Sequence, residues 1–188
     1  MRRPSCSISA AGLDEIAELE RLVRRSARAL WVGDYAAEQI EAALQTTIGL
    51  DTQLVRDQTY LVSRLAGRIV ACGGWSFRRT LFGSDTAAGR QPELLDPATD
   101  AARIRAFLVE PEFSRRGFGT LLLDACEAAA VARGFSRSEL MATLSGQHLY
   151  EACGYVASES VQHAIGPRLH IRFVPMSKAL NRNVRHDT

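Results

Sequence analysis

The stretch from Ala101 to Gly134, AARIRAFLVEPEFSRRGFGTLLLDACEAAAVARG, changes its hydrophobic period halfway and so limits the fold more than any other segment. Ala106 to Val109 form a short apolar run, bounded by Arg105 and Glu110 and stopped by Pro111, which predicts a buried strand. From Gly117 onward the spacing is helical. Phe118, Leu121, Leu122, Ala125, Cys126, Ala129 and Ala132 recur at three and four, with Asp124, Glu127 and Arg133 opposite and Gly134 as a stop. Between strand and helix lies Ser114-Arg115-Arg116-Gly117-Phe118-Gly119-Thr120, a basic glycine turn that opens a helix N-terminus. The first turn of a helix carries N–H groups without intrahelical partners and roughly half a unit of positive charge. Gly117 and Gly119 would let a phosphate approach the backbone, and Arg115 and Arg116 would add charge-assisted hydrogen bonds. Taken alone, the same residues could equally be a tight turn with solvated arginines.

The rest of the chain supplies the context. Ser5 to Ser9 suits a first strand, followed by a helix with Ile16, Leu19, Leu22, Val23 and Ala27 on one face. Trp31-Val32-Gly33-Asp34-Tyr35 breaks that pattern before a second helix over Ala36 to Gln45. Trp31, Asp34 and Tyr35 are candidates to line a pocket, although Trp31 and Tyr35 could equally be core. Tyr60 to Leu65 and Arg68 to Cys72 flank Ala66-Gly67 as a tight hairpin, its second arm running to Phe77 with a bulge or close approach at Gly73-Gly74. Residues 79–102 read as a long loop placed to cover a cleft, whose Glu93, Asp96 and Asp100 could hold a cation or be solvated. Phe135 to Thr143 is a strand. Ser145 to Cys153 is a short helix with Ser145 as N-cap and Gly154 as its end, and extended segments follow from Tyr155 and over His170 to Val174. A polar tail begins at Asn181.

A length of 188 residues predicts one domain over the whole chain, with a core over about residues 5–178. Net charge is only +2, with 23 basic and 21 acidic residues interspersed, so neither a nucleic acid nor a membrane is the expected partner. No run reaches the roughly 18 apolar residues of a membrane span and no signal-type core follows Met1, which predicts a cytoplasmic protein. Cys6, Cys72, Cys126 and Cys153 lack metal or redox spacing and read as reduced packing residues.

This order of elements, with the glycine turn and Leu149-Tyr150-Glu151-Ala152-Cys153-Gly154-Tyr155, resembles the GNAT N-acetyltransferase superfamily over roughly residues 5–178. The family's turn is Gln or Arg, two residues, Gly, one residue, then Gly or Ala. Here Ser114 stands first, and Arg115 and Arg116 could compensate for the missing long donor. The resemblance implies an α+β fold with α/β/α layers: a mixed, mostly antiparallel sheet of six to seven strands, about four flanking helices and a splayed strand pair that binds acetyl-CoA. It implies that Phe107, Leu108 and Val109 line the pantetheine arm, with the Val109 N–H near the oxyanion, and that Ser114, Arg115, Arg116, Gly117, Phe118, Gly119 and Thr120 hold the pyrophosphate. Tyr150 takes the position of the family's general acid, a role that suits a phenol protonated at neutral pH. Glu110 is the first candidate for the base, with His148 or a water relay as alternatives. The implied reaction is direct acetyl transfer from acetyl-CoA to a primary amine of a small molecule or peptide, and the family often forms homodimers. Two other readings stand beside it. A nucleotide-binding enzyme would need a third glycine where Leu122 stands, and a GNAT-like acyl-CoA sensor would bind without transfer.

Overall fold

Alternating and glycine-punctuated segments pair into one eight-stranded sheet in the computed structural model, which describes residues 6–87 and 89–180. The strands are β1 (Ser7–Ala10), β2 (Tyr60–Leu65), β3 (Arg68–Ser76), β4 (Ala102–Val109), β5 (Arg137–Thr143), β6 (Val156–Ala157), β7 (Val161–Gly166) and β8 (Leu169–Ala179). Their order is β1-β2-β3-β4-β5-β8-β6, with β7 also on β8, and every pairing is antiparallel except β4 with β5. The mixed, mostly antiparallel architecture anticipated from the sequence is therefore present. Among the described residues five α-helices cover it: α1 (Ile16–Leu30), α2 (Ala37–Thr46), α3 (Thr52–Arg56), α4 (Phe118–Ala132) and α5 (Leu144–Ala152). Ser5 at the start of the expected first strand, and the tail from Asn181, lie outside the described residues.

Two apolar clusters sandwich the sheet. Leu19, Leu22 and Val23 of α1, Ile40 and Leu44 of α2 and Leu54 of α3 pack on one face against Tyr60, Val62, Ile171 and Phe173. Leu123, Cys126 and Ala130 of α4 pack on the other with Trp75, Ile104, Phe135, Leu140 and Met176. The buried stripe of α4 includes Leu123 and Ala130, whereas Ala132 is exposed, so the helix is rotated by about a residue from the expected face. The Ala66-Gly67 hairpin has both central residues at positive φ, as a tight primed turn requires. The cysteines are free thiols, with Cys72 and Cys126 inside the core. No helix among the described residues is long and apolar enough to cross a membrane.

The register of β4 creates the feature on which the site depends. Cys72 faces Leu108 and Gly74 faces Arg105, so Ala106 and Phe107 oppose Gly73 alone. The extra residue thus sits on β4, opposite the glycines where the sequence had placed the irregularity. Ala106 takes a left-handed φ of 55°, and the Tyr60 hydroxyl donates to its carbonyl at 3.1 Å. Gly73 is required because the Phe107 ring lies across it: a Cβ there would come within 2.6 Å of that ring. Beyond the bulge β4 leaves its parallel neighbour. Their pairing covers only Ala102 with Ser138, Arg103 with Glu139 and Ile104 with Leu140, after which the two strands part.

Candidate active site

A cavity of about 110 Å³ occupies the gap between the parting strands. Ala106, Phe107 and Leu108 form its β4 wall, Met141 and Thr143 its β5 wall, and Tyr150 of α5 its far side, while Trp31 and Phe82 close it from two loops. Thr143 makes α5 start here: it is the N-cap, and its hydroxyl accepts from the Gly146 N–H at 3.1 Å. Ser145, the expected cap, sits inside the first turn and instead donates to Asp34 at 2.5 Å. Tyr150 is buried, with its ring edge-on to Phe107 and to Tyr155 at centroid distances of 6.2 and 5.7 Å. Burial pushes its phenol well above the ordinary value, and its hydroxyl has no hydrogen-bond partner among the described residues. A buried, protonated and unengaged phenol has the chemistry to donate a proton.

The glycine turn lies at the other end of the same elements. After β4 a 3₁₀ turn over Pro111–Phe113 leads to Ser114, then Arg115 at φ 57° and Gly117 at φ 89°, a value only glycine adopts freely. Gly117 is the N-cap of α4 and no side chain caps the helix. A Cβ built on Gly117 would meet nothing within 4 Å, so the space over this N-terminus is open. Arg115 and Arg116 are exposed, and the Arg116 guanidinium lies over the Phe113 ring at 5.3 Å. Phe118 and Gly119 are buried and anchor the first turn, while Thr120 is half-buried. Free amides, an open approach and two uncommitted arginines fit a pyrophosphate.

The remaining expected site residues are distributed differently. Glu110 does not reach the cavity. Its side chain is buried and held by Arg25 of α1, with Nε at 3.3 Å from Oε2 and a second bond to Oε1, so each oxygen already accepts from the guanidinium. That geometry ties α1 to the end of β4 and turns the Glu110 carboxylate, the expected base, toward Arg25 rather than into the Tyr150 cavity. His148 lies on the solvent side of α5, its side chain 89% exposed. The Val109 N–H donates to the buried Ser26 hydroxyl of α1 at 3.3 Å. Of the three loop residues, Trp31 alone lines the cavity. The Tyr35 hydroxyl donates to the Arg172 carbonyl at 2.7 Å and accepts from the Leu144 N–H at 2.8 Å, which makes it a tie between the α1–α2 turn, β8 and α5. Asp34 adds its bond to Ser145.

The segment between β3 and β4 does cover the cleft. It doubles back through Arg79 N–H to Glu93 O and Thr80 N–H to Gln91 O, both 2.9 Å, so that Leu81, Phe82 and Gly83 reach the cavity. Asp96 and Asp100 spend their carboxylates inside their own turn, at 2.9 Å to Ala98 N–H and 2.8 Å to Asp96 N–H, and the exposed Glu93 lines no cavity described here. The tip is fastened by a buried ion pair that sequence inspection did not reveal. Arg105 of β4 donates to Asp51 at 2.6 Å and to the Gly83 carbonyl at 2.6 Å, and Arg90 meets the second Asp51 oxygen at 2.6 Å. Burial pulls the Arg105 guanidinium below its ordinary pKa, and Asp51 opposes that pull. Fifty-four residues separate Arg105 from Asp51 in the chain, so no local pattern could have paired them.

Comparisons with known proteins agree with this architecture. The family model described as Acetyltransferase (GNAT) family matches residues 17–155, well over half of the chain. A GCN5-related N-acetyltransferase from Rhodopseudomonas palustris superposes with a TM-score of 0.68 at 22% identity, covering 96% of this chain and 98% of that one. The PaiA N-acetyltransferase of Thermoplasma acidophilum, solved in complex with coenzyme A, gives 0.63 at 13% identity over 93% and 99%. The ribosomal-protein-S18-alanine N-acetyltransferase of Escherichia coli gives 0.57 at 13% identity over 96% and 97%. No curated protein matches the chain in sequence. At these identities the structural neighbours speak for the fold, and the family match carries the assignment. With its parted β4–β5 pair and open glycine turn, the chain belongs to the GNAT acetyltransferase family.

Proposed function

We propose that the protein transfers the acetyl group of acetyl-CoA to a primary amine by direct attack in a ternary complex. One observation carries this reading: Tyr150, buried and without a hydrogen-bond partner among the described residues, faces the gap where β4 and β5 part, and the uncapped N-terminus of α4 opens beyond the end of the same β4 strand. The turn from Ser114 to Thr120 then holds the pyrophosphate and the β4 edge at Phe107 to Val109 receives the pantetheine arm. The Val109 N–H, now shared with Ser26, is the amide that would take a thioester oxygen in exchange. The amine nitrogen forms its bond to the carbonyl carbon, the C–S bond breaks, and the departing sulfur takes the Tyr150 proton. The proton lost by the amine leaves toward water. His163 lines the larger cavity next to the cleft and packs edge-on against Phe82 at 5.0 Å, which makes it a candidate to relay that proton.

A second reading is an acyl-CoA sensor without transfer. It is favoured by the absence, among the described residues, of any carboxylate or imidazole lining the Tyr150 cavity. Calorimetry with acetyl-CoA and a thiol-release assay across an amine panel separate the two. Binding with turnover supports transfer, binding without turnover for any amine supports the sensor, and no binding overturns both.

A further inference from the structure

Two cavities meet at Phe82. The smaller holds Tyr150, and the larger, about 500 Å³, lies beyond Phe82 between α2, β7 and the β3–β4 segment. They share Thr47, Leu81 and Phe82, so an acceptor whose amine reaches Tyr150 and whose body passes Phe82 has its far end in the larger space, whereas one that passes Ile48 and Gly49 would enter the cavity lined by Glu20 and Asp85. The charge of Arg105 is met by Asp51 behind the wall, which leaves Arg79 as the guanidinium exposed on this side. Arg105 lines the first cavity, Arg79 and His163 line the second, and neither has a carboxylate in its lining among the described residues. Arg79 is half-exposed, and its carboxylate neighbour, Asp100, stands 3.9 Å away, too weak a pairing to commit it. Arg105 is buried, and its Nε has no partner even though both terminal nitrogens are bonded.

A polycationic acceptor must replace the water around its remaining ammonium groups with carboxylates, which these walls do not supply. An anionic group meets the loosely paired Arg79 guanidinium instead. We infer that the acceptor is an amine whose far end carries a carboxylate or a phosphate, held at Arg79 beyond Phe82. The inference rests on the transfer reading for the position of the amine, while the anion preference is measurable without turnover.

The test uses matched probes with the purified full chain at saturating acetyl-CoA: a dipeptide against its C-terminal amide, O-phosphoethanolamine against ethanolamine, and spermidine as the polycation. The anionic member of at least one pair should have a kcat/KM about tenfold higher, and which pair responds separates carboxylate from phosphate. Arg79→Gln should erase that preference through KM, with the Kd for acetyl-CoA unchanged. Equal rates within both pairs, spermidine as the best acceptor, or a preference that survives Arg79→Gln would overturn the inference. The same pairs titrated by calorimetry into the CoA-loaded protein give a readout independent of chemistry. Tighter binding of the anionic member without turnover upholds the anion site and sinks the transfer reading. Turnover without discrimination does the reverse, and no binding of any probe at millimolar concentration overturns both.

Discussion

On the turn side of the cleft the working groups belong to the backbone. The α4 amides, the left-handed Gly117 and the bulged edge of β4 come from residues 105–120, in one continuous piece of chain. On the loop side the groups are side chains brought together from afar: Trp31 after α1, Arg79 and Phe82 between β3 and β4, and His163 on β7. A backbone site changes little with side-chain identity, so it can serve one invariant ligand. A side-chain site can be retuned one residue at a time, which suits the partner that varies. Tyr150 stands where the two sides meet.

The largest effect should therefore come from that meeting point. Tyr150→Phe keeps the ring contacts with Phe107 and Tyr155 and removes only the proton. Turnover should fall by about 10²–10⁴-fold, the usual worth of a positioned acid, with the calorimetric Kd for acetyl-CoA within about twofold. Full activity would remove Tyr150 from the chemistry. Next comes the fastening of the loop side. Asp51→Ala leaves the buried Arg105 without its carboxylate, loosens Arg90 and removes the α3 N-cap that accepts from Gln53 N–H, so denaturant titration should register a loss of about 3–5 kcal/mol. Acetyl-CoA affinity measured well below the unfolding midpoint should survive, because the turn does not lean on Asp51. A loss of both together would mean that the two sides are one cooperative unit.

How much could be read in advance follows the same division. The change of period around Ser114 to Thr120 and the aromatic pattern at Tyr150 are local, and both identify their elements from sequence alone. Phe107 was legible as strand, but its place over Gly73 was not, since a bulge assigns the extra residue only once both strands are paired. α3 has five residues, too few for a helical period to emerge, and β7 leaves Val161 and Gln162 exposed, so its pattern lacks the inward run of a core strand. Glu110 looked like a free strand-end acid because Arg25 lies 85 residues earlier. Tyr35 looked like pocket or core, and its hydroxyl's two backbone partners lie 109 and 137 residues away.

A smaller effect belongs to the turn itself. Arg116→Glu reverses an exposed charge whose main contact is the Phe113 ring, so folding stability should not change. The Kd for CoA should rise about tenfold, and the salt dependence of binding should flatten. Unchanged affinity would move the phosphate site elsewhere and leave the contrast between the two sides without its backbone half.

The smallest effect tests whether the loop side is held by hydrogen bonds as well as charge. Tyr35→Phe leaves the Leu144 N–H and the Arg172 carbonyl without their shared hydroxyl, at a cost of about 1 kcal/mol at pH 7. The same substitution has a pH signature. Burial, above all, pushes the Tyr35 phenol from its ordinary 10 to about 12 in the folded chain. Above pH 10 the unfolded chain releases this proton while the native chain keeps it, so the native state binds more protons and loses stability as pH rises. This contribution is complete below pH 10 and disappears as pH climbs through 12. The phenylalanine variant lacks it. Urea titrations of both proteins between pH 9 and pH 11.5 should then show the stability gap narrowing as pH rises, and a constant gap would mean that the Tyr35 hydroxyl is solvated and the α1–α2 turn is held by Asp34 and Ser145 instead.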